Sequence, residues 1–220
     1  LKALNGVTLA GTKAATVGGD IAVSGKTIDF NAMDFASARD LSFVSRSLDG
    51  RKSLLYSGGK LTFKQDQTLS LHSIMATGMG DTSLSAASLT FTDLDLAAGS
   101  SLYLTVPSIS VAGGLTIVAM QDLSIDSKGD INLGNQSLLF SGRDMTLRTD
   151  HKVYNGVDSV IMAENNLVIS GLNNRRARSL ENYGGLIESL GGSVALYADA
   201  VSNTATHSVI RTSDVVDYDD

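Results

Sequence analysis

Apolar residues recur along this chain in pairs at i and i+2, each pair following a short polar turn. Ile21/Val23 follow Gly19-Asp20, Leu41/Phe43 follow Arg39-Asp40, and Leu61/Phe63 follow Gly59-Lys60. The series continues through Thr82/Leu84, Leu102/Leu104, Leu123/Ile125, Met145/Leu147, Leu167/Ile169 and Val194/Leu196. Successive first positions are spaced 20, 20, 21, 20, 21, 22, 22 and 27 residues apart. Alternation with period two is the signature of a strand with one buried face. A second alternating pair sits seven or eight residues into several units, as Ile28/Phe30, Leu69/Leu71, Leu89/Phe91, Ile109/Val111 and Ile131/Leu133.

Several short strands within a 20–22-residue period predict an all-β fold, a right-handed parallel β-helix of about nine or ten coils, because one coil cannot bury its inner face until neighbours stack on it. A leucine-rich repeat has a similar period but needs a Leu/Asn consensus or a helix in every unit, and neither is present. At about 4.8 Å per coil the stack is a rod roughly 45 Å long. Phe30, Phe43, Phe63 and Phe91 occupy inward strand positions and are expected to fill the core.

Composition supports this reading. Twenty-two Gly and a single Pro give strand-and-turn chemistry, and no 3.6-residue apolar stripe appears. A net charge of −6 with 17 Lys+Arg argues against a nucleic-acid partner, which requires concentrated positive charge. The absence of cysteine removes disulfides, thiolate metal sites and a cysteine nucleophile. The apolar runs are only a few residues long, so no membrane insertion of this segment is expected. With no leader-like sequence at Leu1, the chain reads as an internal piece of something longer.

Tests for specific chemistry return little. Gly19 to Thr27 resembles a phosphate loop, but five residues rather than four separate Gly19 from Gly25, and a strand rather than a helix follows. Asp93 and Asp95 are expected on one strand face about 7 Å apart, as a carboxylate pair in a polysaccharide-cleaving β-helix would be. No basic partner lies nearby in sequence, and alternating Asp also serves plain solubility. His72, His151 and His207 are scattered, and Gly80-Asp81 and Gly129-Asp130 are turns without a calcium-binding repeat around them. No catalytic, cofactor-binding or metal residues are assigned.

The 27-residue unit stands out. Its stretch Ser170-Gly-Leu-Asn-Asn-Arg-Arg-Ala-Arg-Ser179 is too polar for a coil face and predicts a loop insertion near 171–180. Arg175, Arg176 and Arg178 suit carboxylate or phosphate recognition and form the candidate receptor contact; the plainer reading is a solvated loop offsetting an acidic rod. The pair rhythm fades after Asn203. The repeat segment is therefore set at 1–206, with 207–220 as an acidic tail or the start of a further region.

The stretch from Ile161 to Asn203 resembles the filamentous-haemagglutinin repeats of two-partner-secreted bacterial exoproteins, whose coils read roughly Asn-x-Gly-x-Ile-x-Ser-x-Gly-Gly, an alternating strand, then Leu-x-Asn. Asn182, Gly184, Ile187, Ser189, Gly191, Gly192 and Asn203 occupy those places. The arginine-bearing insertion is similar to a segment of contact-dependent growth inhibition toxins of Gram-negative bacteria. The resemblance implies a large cell-surface exoprotein, exported unfolded through a partner outer-membrane transporter. Its β-helix stalk would present a receptor-binding and toxin region to a target cell. The Asn-Pro-Asn motifs of that family's secretion domain and any toxin-like segment are absent, which places this stretch in mid-stalk. A filamentous adhesin binding host glycans or proteins uses the same repeats, and a polysaccharide lyase or hydrolase uses the same architecture.

Overall fold

The computed structural model describes residues 1–11, 18–111 and 113–213, together with the backbone of Lys13–Thr16. The stretch 214–220, which holds most of the acidic tail, lies outside the described residues.

Among the described residues, twenty-three strands and one 3-10 turn follow each other along the chain. All of the strand pairings are parallel, and each strand pairs with the segment one coil away. The result is a parallel β-helix of ten coils, with first residues Leu1, Ile21, Leu41, Leu61, Thr82, Leu102, Leu123, Met145, Leu167 and Val194. All nine positions from Ile21 onward that the sequence marks as coil starts are the first residues of strands.

Each coil from the second onward contributes three strand segments, so the stack has three walls. In coil 7 they are Leu123–Ser127, Ile131–Asn132 and Leu138–Ser141. In coils 3 and 4 one strand runs through the corners, as Leu41–Ser57 and Leu61–Gly78. The third segment lies outside the two i, i+2 pairs of each unit. It carries Phe35, Leu55, Leu96, Ile117, Leu139, Ile161 and Ile187 into the core, each at most 2% exposed. In the last coil it is Val209–Thr212, paired with Leu186–Ser189, so the ladder extends past the expected end of the repeat at residue 206.

Corners set the shape. Every coil passes from its second to its third wall through at least one residue of positive φ, among them Gly11, Ala32, Lys52, Ser73, Asp93, Gly113, Gly134, Asp158, Gly184 and Ala205. A left-handed residue reverses the local path sharply, and for a side chain other than glycine it carries a steric cost that the paired segments on both sides must outweigh. The turn from third wall to first is held by hydroxyls. Ser57 Oγ donates to the carbonyls of Arg39 at 2.7 Å and Lys60 at 2.8 Å, and Ser37 and Ser141 repeat the arrangement.

The core is continuous from Val7 to Ala198. Phe30, Phe35, Phe43 and Phe63 form its N-terminal part, with ring centroids 5.2–5.4 Å apart. Gly50 lies above Phe30 in register, and a Cβ there would fall 2.4 Å from the ring's Cζ, so the phenylalanine fills the space that the glycine leaves. The 21-residue spacing after Leu61 has a local cause. The register shifts between Ser45 and Ser47, and Gln65, buried at this irregularity, donates Nε2 to the carbonyl of Phe43 at 3.0 Å.

Candidate functional site

The five extra residues of coil 9 enter between its first and second walls. Lys152 and Ser179 are 27 residues apart yet pair directly, whereas Met145 and Leu167 across the first wall are 22 apart. The insertion closes on itself: the Gly171 amide donates to the carbonyl of Arg175 at 2.9 Å around the turn Leu172–Asn174. Asn173 and Asn174 have φ of 52° and 60°. Both conformations suit asparagine better than most residues.

The three candidate arginines separate here. The Arg175 guanidinium bonds Asp150 of coil 8 and, through Nε, the carbonyl of Leu172 at 3.3 Å. Arg176 reaches the other way, to Asp199 of coil 10 at 3.0 Å and to the carbonyl of Ala198. Two of the three thus tie the insertion to the coils below and above. Arg178 is exposed, and among the described residues its side chain has no partner; its amide donates to the carbonyl of His151 at 3.0 Å. Exposed ion pairs of this kind contribute about 0–1 kcal/mol each, so their effect is to position the loop more than to stabilise the rod.

The insertion also builds a cleft that the sequence did not announce. Val168 and Ser170 of the first wall, Asn174 and Arg175 of the loop, and Tyr197 of coil 10 enclose about 320 Å³. The Tyr197 residue is 51% exposed. A valine and a serine, an aromatic face, an amide and a guanidinium are groups that can hold a small polar ligand. Tyr197 lies 22 residues from Arg175 and meets it only because the coils stack.

Several of the remaining motif residues have structural partners. Asp93 and Asp95 both face outward and line one shallow hollow, but Asp93 is the left-handed corner, where its carboxylate accepts the Gly114 amide at 3.2 Å, while Asp95 lies at the start of the third wall. Asp81 and Asp130 accept the amides of Ser101 and Lys152 in the next coil, at 3.3 and 3.1 Å. His72 Nδ1 lies 3.3 Å from Thr92 Oγ1, and His207 occupies a corner at φ 74°.

The residues that carried the haemagglutinin-repeat resemblance prove to hold one coil to the next. Asn155, Asn182 and Asn203 stack in register as an amide ladder, with Asn155 Nδ2 donating to Asn182 Oδ1 at 2.8 Å and Asn182 Nδ2 to Asn203 Oδ1 at 2.7 Å. Gly184 takes the left-handed corner, Ile187 is fully buried, and Ser189 bonds the Asn165 carbonyl and accepts the Gly192 amide. No protein-family model, curated protein or solved structure matches the chain.

Proposed function

We propose that this chain is a length of structural stalk from a large secreted exoprotein of the Gram-negative cell surface, of the kind that presents a receptor-binding and toxin region in contact-dependent growth inhibition. The observation that supports it most is the unbroken parallel ladder through all ten coils, from the pairing of Gly6 with Thr27 to that of Ser189 with Thr212. Such a stack converts sequence into length and keeps interior backbone groups paired. A cysteine-free chain made of local repeats also suits export in the unfolded state through a partner transporter.

Small-angle scattering of this segment should give the profile of a rod roughly 45 Å long, from a strand separation of about 4.8 Å. A compact globular profile would refute the stalk. In the full-length exoprotein, the charge reversal Arg178→Glu should reduce target-cell binding if the insertion touches a receptor, and unchanged binding would remove that contact.

The cleft at Tyr197 supports a second reading, an adhesin that holds a saccharide between coils 9 and 10. A glycan array with Tyr197→Ala as the control separates the two: binding lost in the variant favours the adhesin, and no binding by either protein favours the plain stalk.

A further inference from the structure

The outer surfaces of the three walls differ. The first wall shows mainly Ser42, Thr62, Ser83, Ser124 and Thr146 outward, and the second mainly Asp, Ser, Thr and Asn. The third wall is mostly apolar on its outside through coils 6–9. Its outward columns there hold Val118, Leu138, Phe140, Val160, Met162 and Leu186, all partly exposed and stacked in register, with Thr116 at one end and the Glu188 carboxylate, covered by Arg211 and Ser213, at the other. Coil 5 bounds this patch with the exposed Asp95, and coil 10 bounds it with Arg211. The Arg211 side chain is 56% exposed, with Nε on Glu188 at 2.7 Å.

We infer that the third wall is a self-association surface, on which a second copy of this chain packs wall to wall with its axis antiparallel. A sheet with apolar side chains outward is half of a sandwich; two such sheets pack about 10 Å apart with their strands nearly aligned, which sets the rods side by side. Charge fixes the direction. In a parallel pair each coil meets its like, and Asp95 faces Asp95. In an antiparallel pair centred between coils 7 and 8, Leu138 meets Val160, Thr116 and Val118 meet the coil of Leu186, and Asp95 meets the coil that carries Arg211. Arg211 lies one outward position along the strand, a sideways offset of about 7 Å that a long side chain can span. Coils 7 and 8, uncharged on this wall, then lie at the centre, with Asp95 and the Glu188–Arg211 pair toward the rim.

The area sets the strength. Six coils at about 4.8 Å and a wall about 16 Å wide give roughly 500 Å² per copy, or roughly 1,000 Å² per pair. This is the low end for a specific contact, so the pairing is weak and is to be sought at about 0.1–1 mM of the isolated segment, the weak end of the affinity scale.

Sedimentation equilibrium over that range should show a monomer–dimer transition. Phe140→Lys should weaken it at least tenfold, and Thr146→Lys on the first wall should leave it unchanged, with circular dichroism confirming that both variants fold. The chain has no cysteine, so single-cysteine variants report geometry cleanly. A mixture of Leu138→Cys and Val160→Cys should cross-link with a short bismaleimide faster than either variant alone. A protein that stays monomeric at 1 mM, or one in which each variant cross-links best to itself, would overturn the antiparallel pair.

Discussion

Asn182 shows how one side chain holds three coils. It accepts from Asn155, donates to Asn203, and also donates to the carbonyls of Gly185 at 2.8 Å and Val209 at 3.1 Å, in a position with no solvent access. Asn182→Leu keeps the volume and removes the partners, so each stranded amide group should cost about 1–3 kcal/mol. Urea unfolding should report that loss, and the same change at the exposed Asn203 should cost less. Gly50 makes the opposite case, where an absent side chain matters. Gly50→Leu should destabilise by about 1–3 kcal/mol through overpacking against Phe30. Phe30→Ala in the same chain should restore part of the loss, and a double-mutant cycle that shows no coupling would contradict the shared space.

Among elements, the turn from third wall to first is tied by a second ladder. The carboxylates of Asp20, Asp40, Asp122 and Asp144 each accept the amide of the residue one coil on, Asp40, Lys60, Asp144 and Asn166 respectively, at 2.8–3.3 Å. The Asn166 amide foremost, with help from the Asn165 and Asn166 side chains, holds the Asp144 carboxyl below its ordinary value of 3.8. The Arg211 guanidinium does the same for Glu188, below 4.5. A carboxyl whose folded-state pKa is depressed contributes stability above its unfolded pKa and loses it as pH falls through the folded one. Resistance to urea should therefore be level above about pH 5 and decline as pH drops below the ordinary carboxylate values. Asp144→Asn, which keeps an acceptor but cannot titrate, should show a smaller decline between pH 5 and pH 3.

The first two walls were legible in the sequence because their inward residues alternate after polar turns, as Leu123/Ile125 and Ile131/Leu133 do. The third wall was not. Its inward residues follow a corner whose occupants, Ala32, Lys52, Ser73 and Asp93, share no chemistry, since stacking and not residue type imposes their positive φ. The cleft at Arg175 was half legible: the arginines marked the loop, but Tyr197 joins them only through the pitch of the helix.

At the scale of the whole molecule, strand pairing among the described residues runs only between neighbouring coils, so length and stability are separable. Removing residues 102–144 deletes coils 6 and 7 and places Met145 in the register slot of Leu102. The shortened chain should keep its β-sheet circular dichroism, and scattering should find the rod about 10 Å shorter. Loss of all sheet signal would show that the coils do not fold as interchangeable units.

The coil 9 insertion adds five residues at a corner without moving the register of the walls on either side. A corner that absorbs extra chain in this way is a port for new sequence, where a lineage or an engineer can lengthen the loop and vary what the rod displays on its side. The displayed surface can then change there while the rod that carries it stays the same.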